Sequence, residues 1–462
     1  MPPAVTTKRP APGRRSVSLM GWLTAHIGWG ETDRRILALA LPALGALVAE
    51  PLYILADTAV VGNLGTPQLA GLALASSLLL IAFAVFIFLA YGTTSAVARL
   101  LGAGEHRQAA HQAVQSLWLA FVVGVVIAGI GYLCRNPLIE LMGGQGETAI
   151  NAEIYLRISL LGLPAMLLTL AGVGYLRGLQ DTTRPLYVAI GTAVLNLVIE
   201  VVLIFGLDFG IGASALSTVI AQWVGAMAYL VWIARAIAEH AVGLGPDWRI
   251  IGRLAGAGAD LLVRTAALRG GLTVTVAVAA RLGDADLAAH EIAFQIWSSL
   301  AFALDAVAIA AQAMIGHALG AGDATEARRL GDRMIQWGWF GGFVFLALIL
   351  ASIPVLPDLF SNDPAVISLV AFLFIHVALW QPIAGIVFAL DGILIGAGDL
   401  RFLAIAMVAA TAVLTAGAFA VLGLDLGIGW LWGALGAWIA VRGAALYARY
   451  RTDAWLITGA VR

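Results

Sequence analysis

The chain has 462 residues, of which 61% are hydrophobic and 11% charged, with a formal net charge of -1 at pH 7. A soluble chain of this length would divide into about three domains of ~150 residues each, and so apolar a composition excludes that reading. Near-neutral charge offers nothing to nucleic acid or an acidic macromolecule, and the single cysteine, Cys134, excludes an intrachain disulfide and any multi-cysteine metal site.

Residues 1–32 carry Lys8, Arg9, Arg14 and Arg15 among prolines and serines, with no long apolar core and no small-residue cleavage site. They read as a flexible basic cytoplasmic tail, not a signal peptide. A helix needs ~20 apolar residues to cross ~30 Å of hydrocarbon. Such spans fall at 35–62, 69–98, 113–134, 151–176, 185–206, 213–235, 255–280, 287–316, 333–353, 364–392, 401–422 and 430–449. The prediction is an all-α polytopic membrane protein with twelve transmembrane helices. The ~10-residue alternating segments of a transmembrane barrel are absent from the sequence. Cys134 is placed at a helix end as a small apolar residue.

These spans sort the basic residues sharply. Arg135, Arg157 and Arg281 fall on one side, Arg264 and Arg269 inside a span, and all the others on the opposite side with both ends of the chain. That bias predicts cytoplasmic termini and an even helix count.

Residues 239–253, with Gly243, Gly245 and Pro246, form a polar connector. It separates an N-lobe at 33–238 from a C-lobe at 254–452, and residues 453–462 are left as a tail. The two lobes repeat one another. Asn63 to Gly71 aligns with Arg281 to Ala289, and at the same offset of 218 residues Leu101-Gly-Ala-Gly meets Leu319-Gly-Ala-Gly, Gly178 meets Gly396 and Pro164 meets Pro382. Asp208 to Gly212 echoes Asp425 to Gly429 with a slip of one. Both lobes start from the same side, so their pseudo-symmetry axis runs along the membrane normal, as in transporters that rock one half against the other. Most of the 53 glycines read as helix packing.

Three motifs carry a family resemblance. Pro42 leads through Leu52 to Gly62, a first helix with an Asp57-Thr58 pair; Tyr175 to Arg184 forms an arginine-glycine turn after the fourth helix; Gln381-Pro382 is followed by Phe388 to Asp399 in the tenth. In this order they resemble the multidrug and toxic compound extrusion (MATE) transporters, most closely the DinF branch, from about Asp33 to Tyr450. The resemblance implies two pseudo-symmetric six-helix lobes facing each other in a V around a central cavity.

A charge in the bilayer costs ~2.5–3.5 kcal/mol on insertion scales, so each one needs a reason. Asp57 stands about 21 residues into the first helix, ~30 Å along the axis, and Glu200 about 15 residues into the fifth, ~22 Å along, both toward the outer half. Carboxyls at overlapping depth can share a proton or a cation. Tyr53 lies one turn before Asp57, and Asn196 one turn before Glu200. The resemblance implies that these four positions form the N-lobe cation site, holding a proton or sodium; the branch's usual aspartate is replaced here by Glu200. In the C-lobe, Asp305, Asp391 and His376 are candidate cation or substrate groups. Arg264 and Arg269 are their possible partners, and Arg269 is expected to face the interior. Pro42 removes a backbone bond and makes a bend in the first helix cheap.

The function expected from these features is alternating-access antiport at the plasma membrane, exporting organic cations or amphipathic compounds against protons, or alternatively sodium. No cofactor is expected, and the partners are a small-molecule substrate and membrane lipid, with the chain acting as a monomer. The alternative is a lipid-linked oligosaccharide flippase of the wider superfamily, which would call for a more basic cavity. A major-facilitator carrier is disfavoured because Arg99 to Arg107 lacks the acidic-arginine-glycine signature. An enzyme is disfavoured because no metal-ligand spacing, nucleophile motif or P-loop is present in the sequence.

Overall fold

The computed structural model of the chain describes residues 30–207 and 209–461. The expected basic tail up to residue 29, and Asp208 of the Asp208–Gly212 echo, lie outside the described residues. The described residues form twelve helices long and apolar enough to cross a membrane. They are α1 (Glu31–Gly62), α2 (Thr66–Gly102), α3 (His106–Leu141), α4 (Gly146–Gly178), α5 (Thr183–Gly206) and α6 (Ile211–His240), followed by α7 (Trp248–Leu282), α8 (Asp284–Gly320), α9 (Ala324–Ser352), α10 (Pro364–Gly396), α11 (Leu400–Gly423) and α12 (Ile428–Arg451). Large apolar side chains such as Leu55, Leu133 and Phe205 are exposed, as the lipid-facing wall of a membrane bundle requires.

Several helices outrun their apolar cores because polar residues cap them beyond the hydrocarbon. The Asp247 carboxylate accepts the backbone N–H groups of Arg249 and Ile250 at 2.9 and 3.3 Å, so α7 starts at Trp248. The connector expected over 239–253 shrinks to the stretch between His240 and Trp248. Asp323 caps α9 in the same way through Glu326 N, at 2.8 Å. Polar residues also lengthen α3 at both ends, which places Cys134 inside that helix, exposed, and not at its end.

The internal repeat records close packing. A Cβ on Gly174 would meet Ala90 O at 2.6 Å, and 218 residues on, a Cβ on Gly392 would meet Ala308 O at 2.4 Å. Thus α4 nests on α2 in one lobe as α10 nests on α8 in the other. The pseudo-symmetric mates Gly102 and Gly320 meet across the lobes. A Cβ on Gly102 would lie 2.0 Å from His317 O, and one on Gly320 would lie 2.0 Å from Arg99 O. The two helix ends cross backbone to backbone on the face that carries the C-terminus.

Most of the lobe-to-lobe hydrogen bonds of the described residues gather on this same face. Arg333 of α9 binds Asp33 of α1 through Nε at 2.6 Å and Nη2 at 2.9 Å, and Trp337 donates to the same carboxylate at 2.8 Å. The stretch after α12, expected as a tail, is docked. Trp455 is fully buried on Tyr450. Arg99 at the end of α2 donates to Ile457 O at 2.8 Å, Gly459 O at 3.1 Å and Ala397 O at 2.9 Å. Gly459 N donates to Leu319 O at 2.9 Å.

Substituting Gly320 by alanine is expected to cost ~1–3 kcal/mol or more, because the neighbouring atom is backbone and cannot step aside. Gly256 on α7 has nothing within 4 Å of its would-be Cβ, so Gly256→Ala should be neutral or stabilising by up to ~1 kcal/mol. Thermal unfolding of the two variants in detergent checks the contrast; equal midpoints would refute the crossing.

Candidate ion and substrate site

The structure brings Asp57 and Glu200 together. Asp57 is buried on α1, and its Oδ1 accepts a hydrogen bond from Ser214 Oγ of α6 at 2.8 Å. Glu200 of α5 is fully buried; among the described residues neither of its oxygens has a hydrogen-bond partner within 3.5 Å, although the Ser214 hydroxyl stands close by. Its carboxyl lies within hydrogen-bonding reach of the Asp57 carboxyl. Two carboxylates present only acceptors to each other, so that contact requires a proton between them or a cation across them.

Tyr53 and Asn196 do not touch this pair; they form a separate polar layer one helical turn away. Asn196 Nδ2 donates to Thr218 Oγ1 at 2.9 Å, and Tyr53 Oη and Thr218 Oγ1 are 3.0 Å apart. Asn196 Oδ1 has no partner. The reason is α6: Ser214, Ser217 and Thr218, at i, i+3 and i+4, present hydroxyls along one face. Ser214 takes the carboxyl and Thr218 takes the tyrosine and the amide. The Tyr155 hydroxyl of α4 stands beside Ser214 and Thr218. Sequence reasoning missed these groups because serine and threonine inside an apolar helix usually satisfy their own backbone. Glu50 was also missed, although it carries the signal that marked Asp57: a carboxyl within an apolar span.

This polar layer forms one wall of a cavity of about 280 Å³ bounded mainly by N-lobe helices. Its polar groups include Glu50, Tyr53, Arg177, Asn196, Gln222 and Asp305, among walls such as Leu47, Phe83 and Met166. Asp57 and Glu200 are not among its lining residues and sit behind the Tyr53–Asn196–Thr218 layer. Pro42 lies inside α1, and so does Pro51, only six residues before Asp57; the helix runs unbroken through both.

The C-lobe candidates separate. Asp391 is buried and pairs with Arg264 Nη2 at 2.7 Å and with Arg442. Asp305 faces Tyr91 and Arg177 from the N-lobe and Arg264 and Arg442 from the C-lobe. Three arginines thus surround two aspartates where the lobes meet. The arginine bias of the sequence places Arg442 and Arg177 on the aqueous side with the other basic residues. Both are buried, at 5% and 8% exposure. Arg269 does the opposite of what was expected. Five residues past Arg264 it is turned about 140° around the helix, and it is exposed. His376 is also outside the cluster, with Nδ1 3.2 Å from Phe372 O and its ring against Phe372.

Among the described residues no three His, Cys, Asp or Glu side chains group to hold a metal ion. The unpartnered oxygens of Glu200 and Asn196 suit a proton or a monovalent cation better than a multivalent one.

Replacing Asp391 by asparagine strips two buried guanidiniums of their counter-charge, at an expected cost of ~3–5 kcal/mol. The double variant D391N/R442Q should recover part of the loss. Thermal midpoints in detergent decide it: a D391N protein as stable as wild type would mean that the arginines find their compensation elsewhere.

Comparison with known proteins agrees with this fold. The family model MatE matches residues 42–202 and 263–418, well over half of the chain. The Arabidopsis thaliana protein DETOXIFICATION 44, chloroplastic, is 32% identical over 395 residues, covering 82% of this chain and 75% of its own. The DNA damage-inducible protein F of Escherichia coli (strain K12) is 30% identical over 440 residues, covering 91% and 92%. A solved outward-facing conformation of a multidrug resistance MATE family transporter superposes with a TM-score of 0.83 at 22% identity, over 91% of this chain and 96% of that one.

Proposed function

We propose that this chain, which belongs to the MatE family of membrane transporters, is a secondary antiporter that exports small molecules in exchange for protons. The observation that carries the reading is the buried pair Asp57–Glu200, a contact that needs a shared proton or cation and is screened from the cavity by one polar layer. Sodium is the alternative coupling ion; the unpartnered oxygens of Glu200 and Asn196 would complete its ligands.

The coupling runs along α1. Its outer part carries Asp57, and its first turn carries Asp33, bound to Arg333 and Trp337 of the other lobe. The two aspartates are 24 residues apart, about 36 Å of helix at 1.5 Å per residue. Pro42 and Pro51 lie between them, each leaving one helical hydrogen bond unmade. Ion binding at Asp57 shifts the lobe equilibrium only through different affinities in the two arrangements. A bend in α1 supplies that difference, by altering the distance from Asp57 to Glu200 and Ser214 together with the seating of Asp33.

With the termini in the cytoplasm, as the arginine bias indicates, lobes joined at the terminal face describe an outward-facing arrangement. The substrate enters the cavity, where Glu50 offers a carboxyl to a cationic group and the apolar walls take a bulky amphipathic body. The plasma membrane is the proposed location.

Reconstituted in liposomes, the chain should drive efflux of a fluorescent organic cation under an imposed pH gradient. Asp57→Asn should lower gradient-driven transport at least tenfold while leaving the protein folded. Ser214→Ala should weaken it without abolishing it. A sodium gradient imposed separately identifies the ion, and undiminished transport by the Asp57 variant sinks the scheme.

A further inference from the structure

A second and larger cavity, about 710 Å³, lies on the terminal face, outside the transport site. The ends of α2 and α3, the connector and the start of α7 line it, and Gly398, Leu400 and Ala460 close it from the other lobe and the docked C-terminal stretch. Its charged groups are Arg99, Arg107, Arg253, His111 and a single acid, Asp247. Asp247 is already committed, because its Oδ1 caps α7. The wall therefore holds three guanidiniums against one engaged carboxylate.

The site is built and not merely charged. Arg99 is 3% exposed and fixed by three backbone carbonyls. Gln112 is 9% exposed and lines the cavity, and its side-chain amide makes no hydrogen bond among the described residues. Arg253 is exposed and makes no ion pair among the described residues, and Arg107 makes a 3.3 Å contact to Ala241 O. The exposed planar guanidiniums of Arg107 and Arg253, beside the Gln112 amide, match the oxygens of a phosphate. Around the cavity, Trp248 and Leu244 are 71% and 64% exposed, and Trp118, exposed, donates to Leu244 O at 2.8 Å. Indoles of this kind sit at the headgroup level of a bilayer.

We propose that this cavity binds a phosphate-bearing anion, supplied by the headgroup of an anionic lipid or by free phosphate. On the cytoplasmic orientation proposed above it opens where anionic headgroups meet basic pockets between helices. Because its walls come from both lobes, an occupant favours the arrangement described here over one with the lobes parted at this face.

The test uses the purified full-length chain in neutral detergent, with no gradient and no transport substrate, so its outcome is independent of the antiport reading. Short-chain phosphatidylglycerol, phosphatidylcholine and inorganic phosphate are titrated while the thermal midpoint is followed. Phosphatidylglycerol should raise the midpoint and phosphatidylcholine should not. The effect should weaken with added salt. If inorganic phosphate reproduces the shift, the ligand is the free ion; if only phosphatidylglycerol does, it is the headgroup. In R107Q/R253Q, which alters two exposed side chains and should fold, the apparent affinity should fall at least tenfold. Gln112→Leu should lower it less. The proposal is overturned if the wild type responds to phosphatidylglycerol no more than to phosphatidylcholine and ignores phosphate, or if R107Q/R253Q responds like wild type.

Discussion

The backbone crossing of α2 and α8 at Gly102 and Gly320 is the contact on which the rest of the architecture depends. Each glycine faces a carbonyl of the opposite helix at a distance no Cβ tolerates, so the two lobes meet there without side chains between them. Lipid tails are as apolar as leucine, and helices in a bilayer gain cohesion from close packing and interhelical hydrogen bonds. A crossing with no intervening side chains maximises the packing part. It also brings the carbonyls of Ala397, Ile457 and Gly459 within reach of Arg99, so the neighbouring polar contacts follow from the same approach.

A second constraint is the expense of charge in hydrocarbon, and it explains where the ionisable groups stand. In the C-lobe the cost is met by mutual pairing: Arg264 and Arg442 on Asp391, with Asp305 facing the same arginines and Arg177. In the N-lobe it is met differently. Asp57 and Glu200 have no basic partner and can lie together only with a proton or a cation between them. One lobe therefore holds a cluster whose charge is compensated by the protein itself. On the function proposed above, the other holds a pair compensated by a proton or cation taken from solvent. On that proposal the two halves of a repeated fold do different work.

Much of this was legible in the sequence because it is written in single strong signals. Twelve apolar spans, the 218-residue repeat and a carboxyl in an uncharged helix each violate a simple expectation, and Asp57 with Glu200 followed from depth alone. What escaped depended on helix tilt and rotation, which no local pattern records. Arg442 and Arg177 read as solvated with the other basic residues, and only the packing shows that both are buried. Arg269 looked buried because it lies mid-span, yet it points away from Arg264's face. Ser214 and Thr218 carry no charge to draw attention, and their role appears only when α6 is seen to pass both α1 and α5. The docked C-terminal stretch was invisible for another reason. Its hold on the lobes is made through the carbonyls of Ile457 and Gly459, and a carbonyl has no sequence signature.

The geometry also bears on how an ion held in one lobe can govern contacts made by the other. Asp57 and the cross-lobe contacts lie about 36 Å apart along α1, and direct electrostatics across that distance is weakened further by the water and salt that reach the terminal face. A rigid element with two shapes transmits better than a field. Helix α1 qualifies, since it holds the carboxyl near one end and the Asp33 contact at the other, and two prolines reduce the cost of bending between them. A one-to-ninety-nine equilibrium inverted by the ion would need about 5.5 kcal/mol of differential binding. Desolvating an uncompensated carboxylate is of that order, so on the proposed coupling, protonation of this one buried pair is large enough to set the direction in which the lobes lean.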